Sequence, residues 1–139
     1  MMPARAIGAG AWLMLLGSPI VALAQSYGPD LAGGKILESP QYVIAYRAAP
    51  SAIPMGRHFT LDLVVCPRNS TSAPAGVQVD AHMPEHRHGM NYKAVVTPAG
   101  RGRYTVEGLM FHMPGRWELL FDIRTGSDSV RLTDTVVLK

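Results

Sequence analysis

The sequence predicts an all-β protein, an antiparallel sandwich of about seven strands. Three observations carry that reading. Short apolar runs are separated by turn residues along most of the chain, and several of those runs alternate apolar and polar residues one by one. No stretch shows a helical period, and the 11 prolines recur too often for long helices.

The elements follow in order. "QYVIAYRA" (41–48) is a first strand. "HFTLDLVVC" (58–66) places Phe59, Leu61, Leu63 and Val65 on one face, and "PRNSTSAPAG" (67–76) is a long turn. "VQVDAHM" (77–83) alternates again, with Val77, Val79, Ala81 and Met83 inward. "YKAVVTP" (92–98), the turn "AGRG" and "RYTVEGLMFHM" (103–113) form a hairpin. "RWELLFDIR" (116–124) puts Trp117, Leu119, Phe121 and Ile123 on one face, and "TGSDS" turns the chain into a last strand, "VRLTDTVVLK" (130–139).

The chain divides into a leader at 1–24, a flexible lead-in at 25–40 and the sandwich domain at 41–139. The leader opens with Arg5, continues through an apolar run and ends in the small-x-small pattern Ala22-Leu23-Ala24, which is the pattern of a secretory signal peptide cut near Ala24 and Gln25. The break at Gly17, Ser18 and Pro19 argues against a membrane-spanning helix, which needs about 20 unbroken apolar residues. The expected location is therefore periplasmic or secreted, with no transmembrane segment after cleavage. The lead-in "QSYGPDLAGGKILESP" lacks periodicity and is rich in Gly, Pro and Ser.

Formal net charge is +3, and losing Arg5 with the leader leaves +2, too little to imply nucleic acid or an anionic membrane. Cys66 is the only cysteine, so no intrachain disulfide is available. It ends an apolar strand, which favours a buried thiol over a reactive one.

The spacing of histidine and methionine points to a function. Counting strands as alternately up and down places His58 at the start of a downward strand, with His82 and His112 at the ends of upward ones. All five histidines (His58, His82, His86, His88 and His112) then gather at one end, with Met55, Met83, Met90 and Met113, while Cys66 lies at the other. In "MPEHRHGM", His86, His88 and Met90 alternate, so an extended backbone sets them on one side, about 6.7 Å apart. Imidazole and thioether arms close such gaps onto one ion. His82-Met83-Pro84 recurs as His112-Met113-Pro114, which by itself is explained by proline ending a strand over a packed methionine.

The expected metal site therefore uses His86, His88 and Met90, with His82, His112 and Met113 as nearby reserves. Thioether with imidazole favours Cu(I), and the histidines alone would serve Cu(II). Structural zinc wants cysteine or carboxylate partners, and a blue-copper centre needs a cysteine beside its histidines; Cys66 answers to neither. Catalytic patterns are missing: there is no H-E-x-x-H, no G-x-S-x-G and no phosphate loop, so no enzyme is expected.

Two segments together resemble the YtkA-like domain: Met83-Pro84-x-His86-x-His88-Gly89-Met90, and Phe111-x-Met113-Pro114-Gly115-x-Trp117. The resemblance spans residues 57–138. It implies a small exported or membrane-tethered β-sandwich, immunoglobulin-like or cupredoxin-like in outline, of a kind often linked with copper handling. It also singles out His86, His88 and Met90 as the positions to test, with Gly115 and Trp117 architectural. The expected function is a periplasmic copper carrier or buffer in metal homeostasis. The alternative is a metal-free interaction module whose loops contact a periplasmic or membrane partner, since Met-rich surfaces suit adaptable apolar contact.

Overall fold

A computed structural model describes residues 31–139; the leader at 1–24 and the start of the lead-in lie outside the described residues. Among the described residues nine strands follow one another without a helix: β1 (Lys35–Glu38), β2 (Tyr42–Ala49), β3 (His58–Pro67), β4 (Gly76–Met83), β5 (His88–Gly89), β6 (Val95–Gly100), β7 (Arg103–Met110), β8 (Gly115–Thr125) and β9 (Asp128–Leu138). They make two antiparallel sheets, ordered β1-β2-β3-β7-β6 and β5-β4-β8-β9. The expected β-sandwich is present.

Seven of the strands are the expected ones with shifted ends. The other two are too short to carry a periodic signal. β1 lies inside the expected flexible lead-in, where "KILE" pairs with β2 from Lys35↔Tyr46 to Glu38↔Val43. Two-residue β5 closes a hairpin on β4 through His82↔Gly89 and Met83↔His88.

Alternation decides the core. Phe59, Leu61, Leu63 and Val65 of β3 are buried, as are Val79, Ala81 and Met83 of β4 and Trp117, Leu119, Phe121 and Ile123 of β8. Tyr46 and Phe121 meet across the sheets with ring centroids 5.0 Å apart.

One irregularity controls where the functional residues fall. β3 and β7 pair Phe59 with Leu109 but Leu61 with Val106, so β7 carries one extra residue there. Gly108 lies in this bulge at φ +80, a conformation that favours glycine, and a Cβ on it would meet the Lys93 carbonyl oxygen at 3.0 Å. The extra residue reverses the inward set: Val106 points inward before the bulge, and Leu109 and Phe111 after it. Unbroken alternation would instead have driven His112 into the core. The bulge leaves His112 at the rim.

Candidate functional site

Pairing puts the histidines at one end. β3 starts there with His58 opposite Met110, β4 ends there with Met83, and β8 starts there with Gly115. Cys66, eight residues along β3 from His58, is roughly 26 Å away at strand rise. It is buried, and burial pushes its thiol up, with Arg103 partly offsetting the rise.

Within that end the histidines separate into three groups. His86, His88 and His112 form a row of rings, with centroids 5.9 Å apart for the first pair and 5.3 Å for the second. His88 and His112 also stand steeply against the buried Trp117 indole, at 6.0 and 5.4 Å. Trp117 in turn stacks on Phe111 at 4.6 Å and donates its Nε1–H to the Met113 carbonyl at 2.9 Å. Trp117 is thus the floor on which two of the imidazoles rest.

His82 takes no part in that row. It lies opposite Glu118 on the outer face of its sheet, whereas its neighbours Ala81 and Met83 point inward. Its Nε2–H donates to Glu118 Oε2 at 2.9 Å. That hydrogen bond, with a second from Arg116, holds the Glu118 carboxyl below its ordinary range. His58 is separate as well: its ring stands edge-on to Tyr92 at 4.8 Å, and its Nδ1 lies 3.3 Å from the Leu109 carbonyl.

The backbone around "MPEHRHGM" is a tight hairpin rather than a straight extended run. Residues 84–87 form the loop, His86 N–H donates to the Met83 carbonyl at 3.1 Å, and Arg87 sits at φ +53. His86 is exposed at the loop, His88 is half-buried on β5, and Met90 packs on the core. Met83 lies opposite His88 and is fully buried, and Met113 also packs on the core. The alternation of His86, His88 and Met90 therefore does not display three side chains in line; the turn brings the two rings together and directs the thioether inward.

The protonation pattern suits a ligand at His88. Its Nδ1 lies 3.0 Å from the Gly89 carbonyl, which assigns the proton to Nδ1 and leaves the Nε2 lone pair free. His112 Nδ1 is covered by protein and has no hydrogen-bond partner among the described residues. A buried polar atom left unpaired costs about 1–3 kcal/mol, so it marks unmet bonding capacity beside His88. Among the described residues no group of three or more His, Cys, Asp or Glu side chains is placed so that it could hold a metal ion.

Taken in pairs, the rings lie within reach of a shared ion. A metal–nitrogen bond of about 2.0 Å puts the ion roughly 3.1 Å from an imidazole centroid, so two rings on one ion lie within about 6.2 Å of each other. The His86–His88 and His88–His112 pairs both meet that limit. The Met83, Met90 and Met113 side chains pack on the core at the same end.

Apolar side chains are exposed near the same end, Met55 at 51% and Tyr92 at 47%. Val95 and Val137 are exposed too, but on the outer faces of opposite sheets, so the four do not form one patch. Among the described residues no helix is long and apolar enough to cross a membrane.

No known family model matches the chain, and no curated protein matches it. Among solved structures the chain is similar to a DUF4426 family protein from Pseudomonas aeruginosa PAO1, with a TM-score of 0.47 and 8% identity, over 78% of this chain and 98% of that one. A likeness this loose says nothing about function. The YtkA-like resemblance rests on the two quoted motifs alone.

Proposed function

We propose that this protein binds copper at the histidine end of the sandwich and acts as a periplasmic or secreted copper carrier or buffer. The observation that supports this most is the His88–His112 pair: two rings 5.3 Å apart, one with its Nδ1 proton tied to a backbone carbonyl and the other with an unpaired Nδ1. His86 extends the row, and Met83, Met90 and Met113 provide thioethers nearby. Such a donor set favours Cu(I). The export step follows from the leader at 1–24, and the YtkA-like motifs agree with both parts of the reading.

The test is titration with Cu(I) and Cu(II) against a competing chelator, together with thermal melts and tryptophan emission. Of the two tryptophans, Trp12 lies in the leader, so in the chain that begins at Gln25 Trp117 is the sole reporter. A ligand that binds only the native state stabilises it by about 2.7 kcal/mol at 100 times its Kd. Copper is expected to raise the melting midpoint and quench Trp117. Unchanged melting and emission at excess copper would overturn the proposal.

The metal-free interaction module is a second reading, favoured by the exposure of Met55 and Tyr92 at the same end. It requires copper to leave the melt unchanged.

A further inference from the structure

We propose that Arg116 is a positioning residue that holds the histidine loop in its binding geometry, an inference that rests on the copper reading above. The loop has little else to fix it. β5 is only two residues long and pairs with β4 at two positions, and the loop at 84–87 adds one backbone hydrogen bond, from His86 N–H. Across the end of β4, Arg116 of β8 donates through Nε to Glu85 Oε1 at 3.0 Å. Through Nη1 it also donates to Glu118 Oε1 at 3.0 Å, and Glu118 Oε2 accepts from His82.

The guanidinium therefore joins a loop residue to an anchored strand residue. Its planar fork suits the task, because two of its nitrogens reach two carboxylates at once from a fixed frame. Glu85 is the immediate neighbour of His86, so restraining Glu85 limits where the His86 ring goes. A flexible loop would have to be ordered on binding, and ordering it in advance spares that entropy. His82, which strand parity sets on the outer face, joins the same network through its Nε2 bond to Glu118.

The experiment measures Cu(I) affinity by chelator competition for the wild-type chain, Glu85→Gln, Arg116→Gln, Arg116→Lys, His86→Ala and Glu85→Gln with His86→Ala. Glu85→Gln is the cleanest variant, since it removes the charge from one partner of Arg116 and leaves Arg116 on Glu118. Glu85→Gln and Arg116→Gln are each expected to weaken binding about threefold, the scale of one surface ion pair. That loss is expected to vanish in the His86→Ala background, as coupling through His86 requires. Lysine at 116, a single point charge, is expected to fall between wild type and glutamine. Wild-type affinity in both Glu85→Gln and Arg116→Gln, or an equal loss with and without His86, overturns the positioning role while leaving copper binding standing. A wild-type chain that takes up no copper overturns the copper reading and the positioning role with it.

Discussion

His88 of β5 and His112, in the segment that joins β7 to β8, meet with ring centroids 5.3 Å apart, both resting against Trp117. A metal held between them would tie the short β5 hairpin to the segment that leads from one sheet into the other. Replacing either with alanine is expected to weaken copper binding by at least about tenfold, on the scale seen when a metal site loses an essential partner. His82→Ala is expected to change affinity by no more than about threefold, because that ring is engaged with Glu118 on the outer face. Chelator competition on the three variants gives the ranking; equal losses would contradict the division of the histidines into separate groups.

The Gly108 bulge should matter to both fold and site. Gly108→Val places a branched side chain at φ +80, against the Lys93 carbonyl. The expected destabilisation is about 1–3 kcal/mol, the cost of a residue held in a disfavoured backbone region. Because the bulge sets the parity that leaves His112 at the rim, copper affinity should fall as well. Denaturant midpoints and copper titration of the same variant measure the two effects.

Acid should weaken one identifiable link between the sheets. Asp134 of β9 accepts from the Tyr46 hydroxyl and from Lys35 Nζ, the latter at 2.9 Å. Burial pushes the Asp134 carboxyl up, but those hydrogen bonds outweigh it and hold the group below its ordinary value of 3.8. Burial and then Asp134 push the Tyr46 phenol well above the phenol range. A carboxyl depressed in the folded state adds stability above its unfolded value, and that stability is lost as pH falls from about 3.8 through the folded value. Asp134→Asn is therefore expected to cost on the order of 1 kcal/mol at pH 7. The gap to wild type should narrow as melts are run below pH 4, and a constant gap would contradict the assignment.

Cys66 should be a bystander. Its thiol is buried, raised and at the far end of β3. Cys66→Ala is expected to leave copper affinity unchanged, and the native thiol should react with a thiol reagent only on unfolding. Loss of copper binding in Cys66→Ala would mean that the metal sits elsewhere.

Much of this architecture was legible from alternation. The buried faces of β3, β4 and β8 fall where period two puts them, and counting strand directions brings the histidines to one end with Cys66 at the other. What alternation could not reveal was anything shorter than its own period or anything that breaks it. β1 and β5 have four and two residues, and neither stands out from its polar surroundings. The bulge at Gly108 is invisible to a count that treats "RYTVEGLMFHM" as one run, although the glycine inside it was the available clue. His82 was placed with the other rings because position along a strand gives the end but not the face, and its cross-strand partner Glu118 becomes evident only once register is known. Arg116 and Glu85 carried no motif at all.

Asp134 has a consequence beyond its contribution to acid stability. β9 pairs with β8 without interruption from Asp128 to Leu138 and lies at the margin of its sheet. Sliding it by one residue would swing the carboxylate to the outer surface and drag neighbouring polar side chains into the interior. Because the Tyr46 hydroxyl and the Lys35 ammonium both wait on the opposite layer, only one alignment satisfies all three groups. The negative charge thus acts as a locating pin, and it denies slipped, stackable forms of this long marginal strand to neighbouring copies.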